Sequence, residues 1–309
     1  MQSSSPSLIW ISAFAALCLL VAVYAFFKIG NESVKKYVYK ATPQGKLSLY
    51  VHLPNDWQSS DHRPAIVFFF GGGWISGGPD HFKRQAAHLA NRGMVAVRAD
   101  YRTDSKHHTT PDAAVSDGRD ALQWMRENAT KIGIDPDRIV ASGASAGGHI
   151  AACLALCEDA TEPPAMLILF NPVLDITNAT RELEFSVREL ELIDMIGPEA
   201  AASLSPNQRI SITTPPSLHL IGDKDPLIAQ VEDFAIQSEA LNIHSKVMVA
   251  ADQTHGFFNK EPWQTATLLA ADDYLVENGY LKPDPSAEQP DVQLRELPID
   301  ALQHQASHQ

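Results

Sequence analysis

The sequence predicts an α/β fold, in which a mostly parallel central sheet carries helices on both faces and opens with an N-terminal antiparallel hairpin. Short apolar runs bounded by turn residues recur along the chain, and stretches of helical periodicity lie between them. Runs that are apolar on both faces are typical of buried parallel strands, and their alternation with helices favours right-handed crossovers. Hydrophobic residues make up 45% of the 309 residues, which suffices for a core and excludes disorder throughout.

The elements follow in order along the chain. Residues 34–40 and 46–53 are predicted to pair around a turn at 42–45. The buried strands are expected at 65–70, 94–97, 139–142, 166–170, 217–221 and 246–250. The helices are expected at 80–91, 111–132, 146–157, 229–241 and 262–278.

One segment, residues 175–211, interrupts the alternation with charged and apolar residues at helical spacing. Two interpretations remain open for it. It is either a cap inserted over a site or a solvated surface helix.

The ends of the chain divide it into three parts. Residues 8–27 are almost entirely apolar, and as a helix they would cross roughly 30 Å of hydrocarbon. We therefore expect residues 1–28 to form a transmembrane anchor or a signal segment. Residues 29–280 are expected to form a single domain, and residues 281–309, rich in Pro and poor in aliphatics, to form a disordered tail.

An uncleaved anchor is favoured, because no Lys or Arg precedes the apolar run and the run exceeds a usual signal core. A small-residue pattern at 23–25 is typical of signal cleavage and leaves a secreted or periplasmic protein as the alternative. Lys28, Lys35 and Lys36 follow the run and favour a cytoplasmic domain if the anchor is retained. The sequence leaves the membrane side open.

The net charge restricts the classes of partner, and the cysteine content restricts the disulfides that the chain can form. The chain has 24 Lys and Arg against 37 Asp and Glu, a net charge of −13, so binding of nucleic acid through its phosphates is disfavoured. Its three scattered cysteines form no disulfide framework.

Glycines cluster where chemistry is expected. Of the 17 glycines, eight fall within residues 71–78 and 143–148. The second segment places Ser145 in a G-x-S-x-G pattern between a predicted strand and a predicted helix. This arrangement is typical of a nucleophile elbow, a tight turn that exposes the serine oxygen at the edge of the sheet.

A serine nucleophile needs a histidine base and a carboxylate to orient that base. In folds with this elbow the partners follow the serine in the order carboxylate, then histidine, in loops after later strands. Among the downstream histidines only His255 directly follows a predicted strand, the one at 246–250. Asp223 and Asp225 both follow the predicted strand before it, at 217–221. Asp225 is favoured because Pro226 biases it to an extended backbone, but position in the sequence does not complete the choice.

The first glycine segment follows the strand at 65–70 and offers bare backbone N–H groups to a developing oxyanion. Each such donor stabilises a transition state by roughly 3 kcal/mol. The N–H of Ala146, directly after the serine, is a further donor. A phosphate-binding loop is disfavoured, since no Lys-Ser or Lys-Thr pair follows. Trp74, Phe257 and Phe258 are candidates to line a substrate pocket, or else they pack in the core.

Taken together, these motifs resemble the α/β-hydrolases of the hormone-sensitive-lipase-like branch, near bacterial acetyl esterases and feruloyl or xylan esterase-like proteins. The resemblance covers about residues 34–280. It rests on segments 71–74, 117–139, 143–148, 222–227 and 255–258.

The resemblance implies a Ser145–Asp225–His255 triad and an oxyanion hole formed by the N–H groups of Gly72, Gly73 and Ala146. It also implies a serine carboxylester hydrolase that cleaves small, short-chain esters through an acyl-enzyme, with no metal or cofactor. Hydrolysis of amides, formamides or peptides by the same triad is the first alternative. A non-catalytic binding protein is the second. The sequence specifies neither the acyl and alcohol preference nor the oligomeric state.

The chain departs from the family at Phe70, where the glycine loop usually begins with His. Phenylalanine cannot make the hydrogen bond of that histidine, so we expect packing alone to hold the loop. The backbone donors remain, and activity is still expected.

Overall fold

The computed structural model describes residues 33–157, 162–177, 185–286 and 290–299. Within these ranges the chain builds one sheet. Its strands are β1 (Ser33–Thr42), β2 (Gly45–Leu53), β3 (Arg63–Phe69), β4 (Val95–Ala99), β5 (Ile134–Ala144), β6 (Met166–Phe170), β7 (Ser217–Gly222), β8 (Ser245–Ala250) and β9 (Arg295–Glu296). Their spatial order is β1-β2-β4-β3-β5-β6-β7-β8-β9.

The sheet is mostly parallel. β1 and β2 form an antiparallel hairpin, and β2 then pairs antiparallel with β4. From β4 to β8 all neighbouring strands are parallel. The predicted α/β fold, with its antiparallel N-terminal hairpin, is therefore confirmed.

Helices cover both faces of the sheet. They are α1 (Lys83–Asn91), α2 (Asp104–His107), α3 (Pro111–Glu127), α4 (Ala129–Ile132), α5 (Ala146–Leu156), α6 (Val187–Ser203), α7 (Ile228–Ala240) and α8 (Trp263–Glu277). One buried cluster packs α3, α5 and α7 on one face, and a second packs α1 and α8 on the other.

The helix predicted at 111–132 is two helices, because Asn128 departs from helical geometry between them. Its side-chain amide donates to the carbonyl of Trp124 at 2.9 Å. Such local bonding by Asn competes with the helical ladder and ends α3 there.

The segment predicted to interrupt the alternation contains α6. Ser186 caps this helix and forms a capping box with Glu189. The Arg188 guanidinium binds both carboxylate oxygens of Asp104, at 2.9 and 2.8 Å, and so ties the start of α6 to α2. Residues 178–184 lie outside the described residues.

The C-terminal part differs from the expected tail. β9 pairs antiparallel with β8, and the N–H of Leu297 donates to the carbonyl of Val247 at 2.9 Å. Without β9, the outer edge of β8 would present unpaired backbone groups, which readily recruit another strand. Residues 295–297, within the range expected to form a tail, therefore pair at the sheet edge.

The predicted N-terminal segment 1–28, including its apolar run, lies outside the described residues. Among the residues that the structure does describe, no helix is both long and apolar enough to cross a membrane.

Two histidines are fully enclosed by the fold. His219 lies on β7 and His149 on α5. Burial lowers the pKa of His149 to about 4 and that of His219 to about 3. Both rings are therefore neutral in the folded chain at pH values where an unfolded histidine is already protonated.

We expect the free energy of unfolding to fall on acidification below about pH 6.5, by about 1.4 kcal/mol per pH unit for each such histidine. The sign follows because the unfolded chain takes up the protons that the folded chain excludes. Urea unfolding of the full-length chain at pH 7.5 and 5.5 measures this. Between pH 7.5 and pH 5.5, the free energy of unfolding of His219→Asn should fall by roughly 1 kcal/mol less than that of wild type.

The matched control is His62→Asn, since His62 is exposed. This variant should show the wild-type pH dependence. An unchanged pH dependence in His219→Asn would contradict the assignment.

Candidate active site

Ser145 stands on a sharp turn between β5 and α5. Its backbone has φ 52 and ψ −120, a left-handed conformation that is rare for residues other than glycine. The two flanking glycines allow this turn. A Cβ on Gly143 would lie 2.2 Å from the carbonyl oxygen of Gly147, and a Cβ on Gly147 would lie 2.1 Å from that of Phe69. The strand–turn–helix context predicted for Ser145 is present.

His255 follows β8 and faces Ser145. Its Nε2 lies 3.0 Å from Ser145 Oγ. Its Nδ1 lies 2.9 and 3.1 Å from the two carboxylate oxygens of Asp225. The ring is thus bonded on both sides, and the carboxylate selects the tautomer with the proton on Nδ1. That tautomer leaves Nε2 free to accept the Ser145 proton.

Asp225 is the carboxylate partner that the structure brings to His255. Its side chain has no exposed surface, and Oδ1 also accepts from the backbone N–H of Leu227 at 3.0 Å. Asp223 lies on the same loop, and its buried Oδ1 has no hydrogen-bond partner among the described residues. Of the two aspartates that the sequence left open, the structure places Asp225 in hydrogen-bond contact with His255.

Sequence reasoning missed Asn171, which directly follows β6. It adopts φ 34, and its side-chain Nδ2 lies 3.3 Å from His255 Nε2. The available signal was its position, because the carboxyl ends of parallel strands meet at one edge of the sheet, where β7 and β8 also deliver their loops.

The glycine loop follows β3 and lies beside the serine. A Cβ on Gly71 would lie 3.5 Å from that of Ser145. The N–H groups of Gly72, Gly73 and Ala146 make no hydrogen bond to any described residue. They are therefore available to an oxyanion formed at the serine.

Phe70 at the head of this loop is buried and stacks on Tyr101, with ring centroids 3.9 Å apart. The Tyr101 hydroxyl donates to the Phe70 carbonyl at 2.7 Å. The expected packing is therefore present, but packing is not the only support of the loop.

His81, from the 3₁₀ turn that precedes α1, holds the glycine loop with a hydrogen bond. Its Nδ1 accepts from the Gly71 N–H at 3.0 Å, and its Nε2 lies 2.7 Å from Asn259 Oδ1. Asn259 Nδ2 in turn donates to the carbonyl of Gly256, beside His255, at 3.1 Å. These bonds link the glycine loop to the histidine loop.

Burial lowers the pKa of His81, which keeps the ring neutral and able to accept from Gly71. No motif in the sequence pointed to this residue. Its contact with Asn259 joins two loops that are distant in the chain and that only the fold brings together.

A cavity of about 390 Å³ opens over the serine. The glycine loop, Ser145, His255 and Phe258 line it, together with Glu189 from α6. The segment interpreted as a cap or a surface helix thus contributes a side chain to this cavity.

Of the three aromatic candidates for a pocket lining, the structure places only Phe258 in the lining of this cavity. Trp74 is buried, packs edge-on against His149 at 5.2 Å and is not among the residues lining the cavity. Phe257 also lies outside that lining, and its neighbour Phe258 takes part in it. The reason is that Phe257 turns its ring toward Trp263, 5.8 Å away, at the start of α8.

The site combines a hydroxyl, an imidazole oriented by a carboxylate, and free backbone N–H donors. This set of groups is suited to acyl transfer from an ester or amide carbonyl. No group of three or more His, Cys, Asp or Glu suited to hold a metal ion occurs among the described residues.

Comparisons with known proteins agree with this geometry. A family model described as alpha/beta hydrolase fold matches residues 66–259. Carboxylesterase NlhH of Mycobacterium tuberculosis is 29% identical over 218 residues, which cover 64% of this chain and 68% of that protein.

Solved structures of an esterase from Thermogutta terrifontis are also similar. Esterase Est2 with propionate bound is 36% identical, with a TM-score of 0.73 over 83% of this chain and 97% of that one. The same esterase phosphonylated by sarin is 36% identical, with a TM-score of 0.74 over 83% and 98%.

The predicted α/β-hydrolase fold and the prediction of an enzyme of the serine hydrolase, carboxylesterase type are confirmed by these relatives. The chain belongs to the α/β-hydrolase family, in its hormone-sensitive-lipase-like branch.

Proposed function

We propose that the chain hydrolyses short-chain carboxylic esters through an acyl-enzyme formed on Ser145. The observation that carries this proposal is the His255 ring, bonded on one side to Ser145 and on the other to a buried carboxylate. Only a histidine held in this way can take the serine proton in one step and return it in the next.

The reaction proceeds in two halves. His255 Nε2 accepts the Ser145 proton as Oγ bonds to the ester carbonyl carbon, and the carbonyl oxygen becomes an oxyanion. When the intermediate collapses, the bond to the alcohol oxygen breaks and His255 protonates the leaving alcohol. Water then attacks the acyl-enzyme, gives its proton to His255, and the carboxylic acid leaves as the proton returns to Ser145.

The N–H groups of Gly72, Gly73 and Ala146 stabilise the oxyanion in both halves. Their catalytic value depends on alignment, because donors help only when they already point to where charge develops. Gly71 is held by His81, so we assign His81 the role of a positioning residue for this loop.

Two observations support a short acyl chain. The cavity of about 390 Å³ lies at the small end of ligand pockets, which run from about 300 to 1,000 Å³. A 36%-identical esterase has been solved with propionate bound.

Ser145→Ala and His255→Ala should each lower kcat for p-nitrophenyl butyrate by several orders of magnitude, because the groups of a triad act as a unit. Steady-state kinetics on the full-length chain tests this. Asp225→Asn should also lose most activity, since it no longer selects the tautomer. The matched control Asp223→Asn on the same loop should retain far more activity.

A fluorophosphonate probe should label wild type and leave Ser145→Ala unlabelled. Wild-type turnover that equals that of Ser145→Ala would contradict the proposed nucleophile. The corresponding anilide distinguishes the amidase alternative, which predicts Ser145-dependent cleavage of the anilide at a rate comparable to that of the ester.

The positioning role assigned to His81 predicts that two substitutions at this residue lower kcat by different amounts. His81→Leu removes the acceptor for Gly71 and should lower kcat roughly 10- to 100-fold, less than the roughly 100- to 1,000-fold lost when an oxyanion donor is removed outright, because the donors remain but are less well aligned. His81→Gln can accept from Gly71 and donate to Asn259, so it should restore most of this loss. KM should change little in either variant.

The same role predicts how kcat of His81→Gln, relative to that of wild type, depends on pH. Burial lowers the pKa of His81, so acidification beyond the range of an ordinary histidine is needed to protonate it and remove its acceptor, whereas a glutamine does not titrate. The ratio of kcat for His81→Gln to that of wild type should therefore rise as pH falls. Equal kcat losses in the Leu and Gln variants, with a ratio independent of pH, would contradict the assignment.

A further inference from the structure

Glu189 places a carboxylate inside the cavity above Ser145. It occupies the third position of α6, and one oxygen, Oε2, accepts from the Ser186 N–H at 2.7 Å. The other oxygen faces the glycine loop. A Cβ added to Gly73 would lie only 2.4 Å from Glu189 Oε1.

This second oxygen has no hydrogen-bond partner among the described residues, so it can bind a donor on a ligand. The neighbouring cation does not neutralise it. Arg188 turns outward and pairs with Asp104 and Glu191, at 2.8 Å in each case.

Glu189 also dominates the charge of the site. Of the described residues that line the cavity, it is the only one among Asp, Glu, Lys and Arg. A fixed negative charge beside the N–H groups of Gly72 and Gly73 opposes the negative charge that an ester carbonyl gains in the transition state. For a neutral ester, this carboxylate therefore raises the barrier.

A cation on the substrate reverses that effect, because it pairs with Glu189 and offsets its field at the oxyanion. We propose that Glu189 determines specificity and that the preferred substrates are esters carrying a cationic group, with anionic esters disfavoured. This inference rests on the proposed function and names the substrate class of the same site.

Two isosteric pairs of esters test the proposal on the full-length chain. Butyrylcholine and 3,3-dimethylbutyl butyrate differ by a charge in the alcohol. The p-nitrophenyl esters of trimethylglycine and of 3,3-dimethylbutyrate differ by a charge in the acyl group. The measured quantity is the ratio of kcat/KM within each pair, compared between wild type and Glu189→Gln so that intrinsic reactivity cancels.

In at least one pair, Glu189→Gln should lower the preference for the cation roughly tenfold or more, as expected for loss of the Coulombic attraction between two close opposite charges. In the same variant kcat for the neutral ester should rise. The pair that responds identifies which half of the substrate meets Glu189.

Glutamine also fits the capping box, so Glu189→Gln should keep the thermal stability of wild type and isolate the charge. Glu191→Gln is the matched control, because it removes the same charge from an exposed position on the same helix. It should leave both ratios unchanged.

Equal ratios in wild type and Glu189→Gln for both pairs would overturn the specificity proposal while leaving the esterase intact. An equal shift in Glu191→Gln would overturn it too, since the effect would then be the general field of the helix. Absence of Ser145-dependent turnover of the neutral esters would overturn the proposed function itself, and with it this inference.

Discussion

The closeness of α5 to β3 is the constraint on which the candidate site depends. A Cβ on Gly147 would lie 2.1 Å from the carbonyl oxygen of Phe69, so any larger residue would force helix and strand apart. This approach lets the chain turn at Ser145 with a left-handed backbone. It also brings Gly71, just beyond β3, against the serine, so nucleophile and glycine loop are positioned by one contact.

Around that contact the fold gathers loops from the carboxyl ends of parallel strands. β3 delivers the glycine loop, β5 the serine, β6 Asn171, β7 Asp225 and β8 His255. Most residues of these strands are buried in the sheet, so the sheet determines where each of these loops begins. The link from Gly71 through His81 and Asn259 then ties the first loop to the last. Packing of the sheet and hydrogen bonds between the loops thus together align the side chains of the site.

The α6 segment has a different role from the sheet. It adds no group to the hydrogen-bonded set of serine, histidine and aspartate, but it supplies the charge of the cavity through Glu189. Its capping box holds one carboxylate oxygen, and the ion pair between Arg188 and Asp104 holds the helix on α2. The proposed chemistry and the proposed selectivity therefore reside on separate parts of the chain, which allows one to change without the other.

The sequence by itself determined the sheet, its opening hairpin and most of the helices, because hydrophobic periodicity and turn residues are local. It also singled out Ser145 and His255, since a strand–turn–helix motif and a loop after a strand are local patterns. The tertiary structure placed Asp225 rather than Asp223 beside His255, paired β9 with β8, and brought His81, Asn171 and Glu189 to the cavity. These contacts join residues far apart in the chain, and the packing that brings them together leaves no periodic signal in the sequence.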